Sequence, residues 1–152
     1  MVFTPEGGLC NEFVYNAGMN SVLVLKRGEE LHAALARYAE TSGLQSAWLS
    51  GLGGAGSVTL GFYDINAKSY IWKTYDTPLE IVSLTGNLAF ADGQQFWHVH
   101  GVFSDAENQT IGGHVKELIV GLTTELHVTS LDQPLLRQFD DETGLKLLDN
   151  SD

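Results

Sequence analysis

Apolar and polar positions along this chain change pattern twice. From Ser21 to Lys26 (SVLVLK) the apolar residues run almost without a break, the pattern of a buried strand. The next stretch, GEELHAALARYAETSG, repeats at helical spacing: Leu31, Leu35 and Tyr38 share a face, with Ala34 and Ala39 flanking it. A helix over about residues 28–42 is predicted. Glu29 and Glu30 would lie in its first turn, where the positive end of the helix dipole favours acids, and Gly43 would stop it. After that the period falls to two. QSAWLSG, SVTLGFYD, SYIWKTY, LEIVSLTGNLAF, QFWHVHGVFSD and HVKELIVGLTTELHVTSL are rich in β-branched and aromatic residues and read as strands. Asn66-Ala67, Ala91-Asp92-Gly93 and Asp105 to Gly113 interrupt them as turns. LLRQFDDETGLKLLDNSD reads as a short hairpin turning at Thr143-Gly144. The expected molecule is one α+β domain over residues 20–149, largely antiparallel sheet with one main helix. An N-terminal arm (1–19) precedes it and a frayed tail (150–152) follows.

Composition narrows the partners. A chain of 152 residues, 43% hydrophobic, can bury one real core. Its 19 acids against 8 Lys plus Arg leave a formal charge of −11, and the basic residues are scattered. Nucleic-acid affinity depends largely on neutralising phosphates, so this surface argues against a tight DNA binder, and equally against anionic membranes. Cys10 is alone, which rules out an intrachain disulfide framework, and it reads as an incidental thiol. The N-terminal segment lacks the basic start and apolar run of a signal peptide, and no apolar stretch reaches membrane-spanning length. The expected location is the cytoplasm.

Candidate chemistry concentrates in FWHVHGVFSD and the IGGHV that follows. His98 and His100 are two residues apart, so in a strand both rings point to one face. The thirteen residues before His114 allow the next strand to return antiparallel, and Gly112-Gly113 permit an approach close enough to set His114 opposite the pair. Three imidazoles so placed make a metal site with an open position, and zinc leads on ligand type, with another divalent transition metal also compatible. His127 is either a fourth ligand or an exposed strand residue, and His32 on the helix has no assigned role. Thr123, Glu125 and His127 should share one strand face, with Leu122, Leu126 and Val128 on the other. Glu125 is a candidate for orienting a ligand histidine or acting as a base, against the plain reading of a solvated acid. Glu80, inside the apolar run Pro78 to Leu84, must find a partner, face an interface or line a pocket. GLGGAG satisfies G-x-G-x-x-G, but a dinucleotide loop needs a helix directly after it and SVTLGFYD is a strand. A glycine bend that lets two strands change direction, or a close packing of backbones, is the better reading.

The ordered series RGEELHAALARYAETSG, SAWLSGLGGAGSVTLGFYD, PLEIVSLTGNLAF, WHVHGVFSD, IGGHV and DDETGLKLL resembles the plants-and-prokaryotes conserved (PPC) domain over about residues 20–149. The resemblance implies an α+β fold and a homotrimer, with the metal site of some stand-alone relatives falling on His98, His100 and His114. It also matches Pro78 to Asn87 to the stretch plant relatives use for partner contact. In plants the domain follows an AT-hook that binds DNA, whereas this chain has no Arg-Gly-Arg-Pro hook. Stand-alone members are commonly labelled predicted DNA-binding proteins.

Three readings follow. The first is a homotrimeric, metal-binding regulatory module with a protein or small-molecule partner, whose trimer buries apolar strands such as LEIVSLTGNL and covers sheet edges. The second is a zinc-dependent hydrolase or hydratase, since zinc on three neutral histidines lowers the pKa of bound water to roughly 7, with Glu125 or Glu80 handling protons. The third is direct DNA binding, which the family label supports and the acidity opposes.

Overall fold

The computed structural model describes residues 13–149, and most of that span is strand. In chain order the elements are β1 (Phe13–Ala17), β2 (Asn20–Lys26), α1 (Leu31–Ser42), β3 (Ala47–Asp64), β4 (Ser69–Tyr75), β5 (Leu79–Ala91), β6 (Gln94–Ser104), β7 (Thr110–Ser130), β8 (Leu136–Asp140) and β9 (Leu145–Leu148). Cys10, the first part of the expected arm and the tail from residue 150 lie outside the described residues. From residue 13 the expected arm is strand. β1 pairs antiparallel with β2 because Gly18, at φ 65°, turns the chain back on itself.

The helix starts later than its period indicated. Glu30 is its N-cap, and its carboxylate accepts from the backbone N–H groups of His32 and Ala33. Glu29 lies before the helix, where it accepts from the Lys26 N–H and pairs with Arg37. Gly43 closes the helix in the left-handed region, as its position implied. Leu31, Ala34, Leu35, Tyr38 and Ala39 are all buried, so the face read from spacing is the face that packs.

The strands form one antiparallel system, apart from a short parallel contact of β5 with β8. β3 pairs with β5 and β7, β5 with β6, and β6 with β7, so these four strands close a circuit. Leu49, Leu84, Leu88, Val99, Phe103, Leu118 and Leu126 are fully buried among the inward side chains. Each such side chain contributes about 1.5–3 kcal/mol through the apolar surface it removes from water. The stretch LEIVSLTGNL is therefore covered by its own chain: β5 is an interior strand, and Val82 is its one large apolar residue facing solvent.

GLGGAG lies within β3 and is the bend that lets the circuit close. The β3 register slips between Gly51 and Gly53 against β5, and again between Gly53 and Ala55 against β7. Gly53 has φ 146°, and a Cβ there would meet the Thr123 carbonyl oxygen at 2.2 Å. The same irregularity leaves Leu122 71% exposed, although alternation placed it with Leu126 and Val128. Among the described residues no helix is long and apolar enough to cross a membrane.

Candidate metal centre

Alternation along β6 sends Trp97, Val99 and Phe103 inward and leaves His98 and His100 on the outer face. β7 returns antiparallel with His114 directly opposite His100, Gly113 opposite Gly101 and Gly112 opposite Val102. The glycines allow the close approach. A Cβ on Gly112 would lie 2.9 Å from the Gly101 carbonyl oxygen, and one on Gly113 would lie 2.8 Å from that of Gly61. The three rings have centroids 4.9, 5.1 and 5.4 Å apart, and each offers a nitrogen within 4.8 Å of the others.

The cluster suits a transition metal. The Nε2 atoms of His98 and His100 face each other at 3.2 Å, close to the roughly 3.3 Å edge of a tetrahedron with arms of about 2.0–2.1 Å. Nδ1 of His114 is buried with no hydrogen-bond partner, an orphaned atom that a ligand bond would satisfy. Burial holds the rings neutral, the form that ligates metal. Desolvation pushes His98 down to about 4, helped by the charge of Arg137 and by the other two rings. It also pushes His114 down to about 4, helped by His100, His32 and Arg137, and it lowers His100.

Two elements distant in sequence wall the cluster. From β4, Tyr70 and Trp72 stack at 4.5 Å, and Tyr70 lies 5.0 Å from the His114 ring. Gly61 makes room for them, since a Cβ there would come within 2.5 Å of the Trp72 ring. From the β8–β9 hairpin comes Arg137, with Nη2 3.2 Å from His98 Nδ1 and donating to Asn87 Oδ1 at 2.9 Å. The Tyr63 hydroxyl donates to the Thr143 carbonyl, and Lys68 Nζ to that of Asp141, which ties the hairpin to β3 and the turn after it. A cleft of about 400 Å³ lined in part by His100, His114, Tyr63, Tyr70 and Lys73 adjoins the cluster.

The other candidates lie elsewhere. Glu125 faces out opposite Val24 and Leu52, and it shares a shallow cleft with His127, Ser50 and Ser83. His127 is exposed opposite Val22 and Ser50. Glu80 is a solvent-facing residue of β5, opposite Ser104 and Gly54, at the rim of a separate cleft with Arg27 and Asp105. His32 approaches the site from behind, its Nε2 3.0 Å from the carbonyl of Val115, next to His114. Arg137, Tyr70 and Trp72 had no signal in the sequence beyond their types, because β4 and the hairpin reach the histidines only through the folded sheet.

The model of the Plants and Prokaryotes Conserved (PCC) domain matches residues 13–132. Among solved structures, the chain is similar to a "putative DNA-binding protein" from Ralstonia eutropha JMP134, at 31% identity and a TM-score of 0.84, over 91% of this chain and 96% of that one. It is also similar to a metal-containing protein from Archaeoglobus fulgidus, at 32% identity and a TM-score of 0.80, over 88% and 95% of the two chains. A plant- and prokaryote-conserved protein from Pyrococcus horikoshii shares the fold at 22% identity, with a TM-score of 0.81 over 93% and 96%. No curated protein matches the chain.

Proposed function

Because this chain belongs to the Plants and Prokaryotes Conserved (PCC) domain family, we propose that it is a metal-binding module of that family, a homotrimer in which His98, His100 and His114 of each chain hold zinc or another divalent transition metal. The observation that carries this reading is the convergence of three neutral imidazoles on one outer face, one of them with a buried, unpartnered nitrogen. The similar protein from Archaeoglobus fulgidus, a metal-containing one, supports it. The histidines would hold the ion, and the ion would supply a Lewis-acid centre with an open position. Self-association is supported by Leu52, Val82 and Leu122, which stand 55%, 55% and 71% exposed around the β3 bend.

Metal analysis of the purified protein, beside His98→Ala, His100→Ala and His114→Ala, tests the site. Stoichiometric metal is expected in the wild type and at least a tenfold loss of affinity in each variant. Metal retained at full stoichiometry by His100→Ala would sink the assignment. The name of the Ralstonia eutropha protein favours a nucleic acid as partner. A formal charge of −11 opposes it. A gel shift at low salt that weakens as salt rises would establish DNA binding, and no shift at low salt would remove it.

A further inference from the structure

Arg137 touches the cluster without an acid to balance it. Nη2 serves Asn87 and His98, Nη1 donates to the Lys146 carbonyl at 3.0 Å, and Nε is buried with no partner. A guanidinium stays charged in a protein, and a half-buried one ordinarily rests against a carboxylate. Among the described residues no carboxylate pairs with Arg137. The charges that bear on His98 and His114 are those of the histidines and of Arg137 itself. A divalent ion on three neutral rings would add two positive charges beside the one already there. Like charges that close, partly out of water, repel strongly. The loaded centre therefore needs negative charge that the described part of the chain does not provide.

Proton placement points the same way. A guanidinium only donates, so its contact with His98 requires Nδ1 to accept and leaves the ring proton on Nε2, facing His100. Were His98 to hold the ion through Nε2, its ring proton would have to sit on Nδ1, where donor would face donor, and an Nη2 hydrogen would be free for another acceptor. The neighbouring walls are flat and apolar: Phe96 lies 5.6 Å beneath Arg137, and the stacked Tyr70 and Trp72 flank His114. Such walls suit an organic acid better than a strongly hydrated phosphate.

We propose that the centre is completed by the carboxylate of a small organic acid, which takes the open position of the metal and is held by Arg137. This rests on the metal reading above. The test uses the full-length protein in a carboxylate-free buffer, with Co²⁺ as the metal probe and acetate and inorganic phosphate as anion probes. Visible absorption and calorimetry report binding. Co²⁺ should bind the wild type, and saturating acetate should shift the absorption band and tighten Co²⁺ at least about tenfold, since coupling between two ligands is reciprocal. Arg137→Gln should bind Co²⁺ more tightly than the wild type without acetate, and should lose about ten- to a hundredfold in acetate affinity. Arg137→Lys keeps the charge and should retain most of the acetate effect. If the Gln variant fails to fold, Arg137→Met, which removes the charge and keeps the apolar stem beside Phe96, carries the test with the same losses expected.

No Co²⁺ binding by the wild type would overturn the metal reading and this proposal together. Co²⁺ binding with an acetate response that is absent, or equal in wild type and Arg137→Gln, would overturn this proposal and leave the metal reading standing. Phosphate binding more tightly than acetate would overturn the carboxylate class.

Discussion

At the scale of single residues, the site combines signals of two kinds. His98 and His100 were legible because a strand has a period of two and an i, i+2 pair must share a face. Arg137 was one of eight scattered basic residues until the hairpin brought it to His98. Burial then sets the protonation. In the unfolded chain these imidazoles titrate near 6.5, whereas His98 and His114 in the fold resist protonation down to about 4. Between those values the unfolded state binds more protons than the native state. Stability from these rings is therefore complete above about pH 6.5 and declines as pH falls toward about 4. In chelator-treated protein, Tm should fall over that window more steeply than in the double variant His98→Gln, His114→Gln. Parallel Tm profiles would contradict the assigned burial effect.

At the scale of elements, glycines decide what the strands can do. GLGGAG does not divide QSAWLSG from SVTLGFYD: the two are one strand, β3, and the glycines bend it from within by slipping its register. The bend lets β3 carry β4 on one side and close against β7 on the other. Gly53→Ala would drive a methyl group into the Thr123 carbonyl and force a β-carbon residue to φ 146°. A loss of about 2–4 kcal/mol is expected in denaturant titration. A loss under about 0.5 kcal/mol, the range of an ordinary surface change, would mean that the bend relaxes freely. Helix α1 shows the limit of periodicity. Its buried face was predicted residue for residue, but its start moved to Leu31 because the Glu30 side chain caps the backbone.

At the scale of the whole molecule, the closed circuit turns one histidine-bearing face outward and leaves an apolar collar around the β3 bend. Leu52, Val82 and Leu122 form that collar, and burying them between copies would remove apolar surface from water. If the proposed trimer forms on this collar, wild-type protein should sediment as a trimer and Leu122→Glu, still folded by circular dichroism, as a monomer. A trimer that persists unchanged would place the interface elsewhere. Charge matters at this scale as well, since a trimer would concentrate three copies of a formal −11 and repel polyanions.

Local rules were enough for the class of fold, the buried face of the helix, most strands and the pairing of His98 with His100, because helical and strand periods act over a few residues. The same rules placed His114 opposite the pair, since two glycines in a strand that returns antiparallel allow the close approach. Local rules could not bring β4 and the β8–β9 hairpin to the cluster, nor send Glu125 and Glu80 to separate clefts. They could not make β5 an interior strand or expose Leu122. Those outcomes depend on which strands pair across the closed circuit and where β3 slips register, and both are set by contacts between residues far apart in the chain.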